Sequence, residues 1–231
     1  MERDRELRFE GDSEIVSIRE FDPDTAVEFR EEVFARFQEN PRKPIIIEIT
    51  SYGGSVDAAL SMIDVMDSVS SMAPESFYFV TVASGMAMSA GALLLSNGDY
   101  RFCTPNSRVM LHQANKFFYG GSVVDLDIEH SEFLRLNNSV LTILADNCKI
   151  KGGYKTLSKM IERDTYLTAE ESREFGVIDV VGYPKLNELR FYELEVANGV
   201  VPPENEKPET RRKSERVKKT TKVSRKKNSK S

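Results

Sequence analysis

Two apolar runs constrain the fold most. "PIIIEIT" (44–50) and "FYFVTVAS" (77–84) are rich in β-branched and aromatic residues and read as buried strands. Each is followed by small residues and then by helical spacing. After the first come the tight loop "SYGGSV" and the helix "DAALSMIDVMDSVSSM". After the second comes "AMSAGALLLSNG", a helix stopped by Asn97-Gly98. Upstream, "EIVSIREF" alternates like a strand, and "DPDTAVEFREEVFARFQEN" places Val27, Val33, Phe34 and Phe37 near helical spacing. Downstream, "DYRFCTPNSRVMLHQ" gives short strands broken at Thr104-Pro105-Asn106. Alternating strands and helices predict an α/β fold.

A long helix is expected from about Ser122 to Asn147, with Ser122 as N-cap. Leu126, Phe133, Leu136, Val140, Ile143 and Leu144 recur along it at helical spacing. At 1.5 Å per residue it would span roughly 39 Å, more than a small domain needs to cover its own core. Its apolar stripe is therefore expected to meet a neighbouring subunit, unless the helix breaks into two pieces. "GGYKTLSKMIERD" adds a short helix, Thr168-Ala-Glu-Glu171 is a capping box for another ending at Gly176, and "VIDVV" reads as the final strand.

Charge divides the chain. From Pro202 onward the tail holds 12 Lys and Arg against 4 acidic residues, so it carries +8, leaving −13 on the rest of a 231-residue chain whose net charge is −5. Almost free of apolar residues, the tail is expected to be disordered. It is either a solvated extension or a contact for nucleic acid or an acidic protein surface. The first 14 residues are too charged for a signal peptide, and no apolar run approaches membrane-span length, so a cytoplasmic location without membrane contact is expected, or an organelle reached by some other route. Cys103 and Cys148 are then expected as reduced thiols.

Strand-to-helix loops are preferred places for chemistry in α/β proteins. In "TSYGGSV", Gly53-Gly54 can turn sharply and present bare N–H groups, as an oxyanion site requires, although an ordinary tight turn uses the same residues. "SGMAMSAGALLLSNG" holds Ser84, at the expected strand end, and Ser89, about a turn further on among small neighbours. Close helix packing explains both, and a serine becomes a nucleophile only beside a base. The chain has two histidines. His112 ends an apolar strand and is the better base; His130 lies on a charged helical face. A third group must orient the base. Asp125, Asp127, Asp146, Asp164 and Asp179 are candidates, with Asp164 leading from its short loop beside Tyr166 and Leu167.

From about Pro44 to Val181 these segments together resemble the Clp protease proteolytic subunit (ClpP) family. "GGSVDAALSMIDVM" resembles its Gly-Gly loop and following helix, and "SGMAMSAGALLLSNG" its nucleophile helix. "RFCTPNSRVMLHQ" resembles its histidine segment. "DLDIEH", with the helix after it, resembles its handle helix, and "IERDTYLTAEESREFGVIDVV" its aspartate segment and last strand. Five segments in the right order make the resemblance specific. It implies a ClpP/crotonase-like fold of repeated strand-strand-helix turns with a protruding handle. Residues 1–14 would be a charged N-terminal segment, 15–190 the peptidase domain with its handle at about 122–147, and 191–231 an extension, basic and disordered from about 202.

The resemblance implies a serine endopeptidase with Ser89 as nucleophile, His112 as base and Asp164 as orienting carboxylate. The Gly54 and Ala90 N–H groups would be the oxyanion donors. It implies polypeptide substrates and no metal or organic cofactor. It also implies a homo-oligomer of two stacked heptameric rings, fed by a hexameric AAA+ unfoldase that consumes the ATP. The sequence departs from the family pattern in "TSYGG", which lacks the proline before the glycines, and in "HQANKFFYGG", which delays the Gly-Gly after His-Gln. Other roles on the same fold are a viral capsid-maturation peptidase, a non-catalytic ring subunit and a crotonase-type acyl-CoA enzyme.

Overall fold

The computed structural model of the chain describes residues 15–115, 122–148, 150, 152–186 and 194–196. The chain divides into two units, Met1–Val201 and Pro202–Ser231. The expected charged N-terminal segment and the expected disordered basic tail lie outside the described residues.

The first unit alternates strand and helix as expected. β1 (Ile15–Ile18), α1 (Pro23–Glu39), β2 (Ile45–Ser51), α2 (Val56–Met72), β3 (Phe79–Met88), α3 (Ala90–Leu95) and β4 (Tyr100–Cys103) succeed one another along the chain. β1, β2, β3 and β4 pair in that order, all parallel, with β7 (Val180–Val181) parallel beyond β4. β2 shows why its sequence lacks strand alternation. Ile45, Ile47 and Ile49 face the main core with α1 and α2, while Ile46 joins Val80, Val82 and Phe102 on the other face. Both faces are buried, so both take apolar residues.

β3 is longer than the sequence suggests. Strand structure continues through Met88 instead of ending at Ser84. Its first half pairs with β4 and its second half, Met86–Met88, pairs with β5 (Arg108–Leu111). The buried Ser107 hydroxyl sits in this fork. It accepts from the Gly85 N–H at 2.6 Å and donates to the Ala83 carbonyl at 3.1 Å. β5 in turn pairs antiparallel with β6 (Thr165–Thr168).

The C-terminal part adds a correction. "VIDVV" is not the final strand: β8 (Pro184–Leu186) and β9 (Leu194–Val196) come after it and pair antiparallel. Asp179, before β7, is not a plain edge charge either. It grips Arg101, which is 2% exposed, through Nε at 2.8 Å and Nη2 at 2.6 Å. Arg101 Nη1 also donates to the carbonyls of Asn147 and Gly176. One ion pair thus joins β4, β7 and the end of α4 (Val123–Asn147).

α4 is one unbroken helix of 25 residues capped by Ser122, roughly 37 Å long. Only its second half packs on the core, through Val140, Leu141 and Leu144. The start of the expected stripe is left uncovered by this chain: Leu126 is exposed, with Val123, Val124 and Ile128. In α1 the inward face is Ala26, Phe29 and Val33, while Val27 points out. The remaining helices are α5 (Gly153–Met160) and α6 (Ala169–Glu174), the latter with the expected Thr168–Glu171 capping box. Among the described residues no helix is long and apolar enough to cross a membrane.

Removing one partner of a buried, well-bonded ion pair leaves an uncompensated charge. Asp179→Ala is therefore expected to lower unfolding free energy by about 3–5 kcal/mol in a urea titration. The double variant Arg101→Met, Asp179→Leu should recover most of that loss. A single variant within experimental error of wild type would contradict this role.

Candidate active site

The fork in β3 builds the site. β5 runs parallel to the second half of β3, with Met88 level with Met110. The residues just beyond these strand ends, Ser89 and His112, are therefore neighbours at the carboxyl edge of the sheet, where α/β folds place their chemistry. β6 then returns antiparallel along β5, with Thr165 opposite Leu111. That register sets Asp164 level with His112. Tyr166 and Leu167 lie in this strand and not in a loop, because each pairs with a β5 residue.

The side chains meet accordingly. Ser89 Oγ lies 2.7 Å from His112 Nε2. His112 Nδ1 lies 3.4 Å from Asp164 Oδ1. His112 is mostly shielded and Asp164 is 56% exposed, so the carboxylate faces solvent on one side. The Thr165 hydroxyl donates to the carbonyls of Met160 and Arg163, fixing the turn that carries Asp164.

Ser89 has an unusual backbone. At φ 54° and ψ −115° it is the one non-glycine residue with positive φ among the described residues. Such geometry costs a residue with a Cβ about 1–3 kcal/mol. It arises from the sharp reversal between Met88, the last residue of β3, and Ala90, the first of α3. The Ser89 N–H is held by the Met110 carbonyl at 2.9 Å, while the Ser89 carbonyl accepts from Leu93 at 3.1 Å. Strand and helix thus grip the residue from both sides. Serine at an N-cap ordinarily bonds the helix backbone, but Ser89 Oγ makes no such bond and turns to His112.

The Gly-Gly loop lies against this junction. At Gly53, with φ 104°, a Cβ would come within 2.8 Å of both the Met88 carbonyl oxygen and Ser89 Cβ. Only glycine lets the loop approach Ser89 so closely. At Gly54, a Cβ would meet the Phe21 carbonyl oxygen at 2.4 Å. Among the described residues neither the Gly54 nor the Ala90 N–H has a protein acceptor. Beside Ser89 and His112 is a small apolar cavity of about 20 Å³, lined by Val56, Leu93, Leu111, Val140 and Leu144.

The other candidates lie elsewhere. Ser84 stays at the fork, its carbonyl accepting from Thr50 Oγ1. His130 is on the exposed half of α4. Asp125 closes the α4 capping box, where the Ser122 hydroxyl and backbone N–H hold its carboxyl below the usual range. Asp127 and Asp146 lie on the exposed surface of α4, and Asp179 pairs with Arg101. Cys103 and Cys148 are buried thiols not joined in a disulfide; burial pushes Cys103 up to about 11, so it stays protonated and a poor nucleophile at neutral pH.

Two residues escaped sequence reasoning. Asn137 is a buried polar residue on α4; its Oδ1 accepts from the Ala114 N–H at 2.9 Å and its Nδ2 reaches Gln113 Oε1 at 3.4 Å. It ties the segment after His112 to the long helix. Asn115 Nδ2 lies 3.1 Å from His112 Nδ1. Its one signal in the sequence is its place three residues after the histidine.

The strain at Ser89 has a thermal signature. Ser89→Gly removes the Cβ that positive φ penalises, whereas Ser89→Ala keeps it. Ser89→Gly should melt above Ser89→Ala by roughly 2–4 °C, about 1 kcal/mol for a domain of this size. Equal or reversed melting temperatures would show that the backbone is relaxed there.

A family model described as Clp protease matches residues 6–185. The match takes in every strand and helix from β1 to β7 and every residue of the site. The chain belongs to the Clp protease family.

Proposed function

We propose that the chain is a serine endopeptidase in which Ser89, His112 and Asp164 form the catalytic triad. The observation that carries this reading is the pair of contacts on one imidazole: Ser89 Oγ at 2.7 Å from Nε2, and Asp164 Oδ1 at 3.4 Å from Nδ1. Nucleophile, base and orienter thus stand in the order that acyl transfer needs.

Ser89 Oγ would attack a peptide carbonyl while His112 Nε2 takes its proton. The carbonyl oxygen becomes an oxyanion, for which the free N–H groups of Gly54 and Ala90 are the donors. Asp164 would stabilise the imidazolium through Nδ1–H. His112 then returns its proton to the leaving amine, and water, activated by the same nitrogen, releases the acyl group from Ser89. No metal or organic cofactor enters these steps.

Membership in the family supports the wider reading. The substrates would be unfolded polypeptides, and the protomers would assemble into stacked heptameric rings. The exposed apolar start of α4, with Val123, Val124 and Ile128, supplies surface for such contacts. A hexameric AAA+ unfoldase would feed the rings and consume the ATP, with the reactions confined to the cytoplasm. The basic charge of the tail suits contact with nucleic acid or an acidic protein surface.

Hydrolysis of a small peptide substrate tests the triad. Ser89→Ala and His112→Ala should each lower kcat by at least about ten-thousandfold, and Asp164→Ala by less. Full activity in Ser89→Ala would overturn the assignment.

A further inference from the structure

His112 Nδ1 has two neighbours of opposite character. Asn115 Nδ2, a donor, lies at 3.1 Å; Asp164 Oδ1, an acceptor, lies at 3.4 Å. Neutral imidazole carries one N–H, and the partner of one nitrogen decides which nitrogen holds it. A donor facing Nδ1 is satisfied only when Nδ1 is bare. The proton then sits on Nε2, and at 2.7 Å it points at Ser89 Oγ. Ser89 in that state accepts a hydrogen bond from His112 and cannot hand its own proton to the same nitrogen.

From this geometry we infer that Asn115 is a positioning residue that holds His112 in a resting tautomer. The inference rests on the triad reading for its consequence, but not for its chemistry. Asn115 is placed for this by its neighbour: the Ala114 N–H is tied to buried Asn137 on α4 at 2.9 Å. The exposed Asn115 carboxamide can rotate into solvent. Release then lets a proton add at Nδ1 while another leaves Nε2, with no change in net charge. Asp164 accepts from the new Nδ1–H, and Nε2 becomes the bare base that Ser89 needs. Asn115 therefore restrains the site, whereas Asp164 supports it. Leucine in its place removes the donor, and aspartate replaces it with an acceptor.

Two measurements on the full chain test this. Magic-angle-spinning NMR of histidine-labelled protein, with His130→Gln leaving one histidine, reads which nitrogen of His112 carries the proton. The rate of covalent labelling by a fluorophosphonate reads the reactivity of Ser89. In wild type Nε2 should carry the proton. In Asn115→Leu and Asn115→Asp it should shift towards Nδ1, and labelling should quicken about threefold to tenfold, the worth of one neutral hydrogen bond. Slower labelling in Asn115→Leu, or a wild-type His112 already protonated on Nδ1, would overturn the proposal. If the tautomer shifts as expected but no form of the protein labels, the role of Asn115 stands and the serine peptidase reading falls. If Ser89 labels and both variants leave tautomer and rate unchanged, the triad stands and the role of Asn115 falls.

Discussion

The forked pairing of β3 is the constraint on which the site depends. One strand serves two partners: its first half continues the parallel sheet to β4, and its second half carries β5. β5 then holds β6 in antiparallel register. Three residues far apart in the chain, at 89, 112 and 164, come level because each stands at the end of one of these paired strands. Sheet register is set in whole residues, and a slip of one would turn each side chain to the opposite face. Buried residues on both faces of β2 and β3, together with the Ser107 hydroxyl in the fork, oppose such a slip.

Stability and the proposed chemistry pull against each other at Ser89. Its backbone is held in a region that residues with a Cβ avoid, and its hydroxyl leaves the helix start uncapped. Neighbours offset this. α3, entirely buried, packs on β3, and Thr81 Oγ1 donates to the Leu95 carbonyl at 2.7 Å to fasten the end of the helix. The Arg101–Asp179 pair secures β4, β7 and the end of α4 around it. Strain at one residue persists because the surrounding packing over-determines it.

Much of this was legible in the sequence. "PIIIEIT" and "FYFVTVAS" announced buried strands because β-branched runs without alternation have few other uses. Resemblance in five ordered segments identified the family and singled out Ser89, His112 and Asp164 from two serines, two histidines and five aspartates. The features that were not legible depended on partners distant in the chain. "GMAM" reads as a helix start, and only the presence of β5 makes it strand. "TYLT" reads as a loop until β5 pairs with it. Asp179 looks like an edge charge until Arg101, 78 residues away, reaches it. The exposed start of α4 shows the reverse limit: helical spacing gave the stripe, but not which part of it the same chain would cover.

The central claim is that the fork delivers one activated serine. Mass mapping of the protein after treatment with a fluorophosphonate tests it most directly. The account predicts a single adduct, on Ser89, formed much more slowly when His112 is replaced by alanine. An adduct on Ser84 or another serine, or labelling of Ser89 at the same rate without His112, would contradict it.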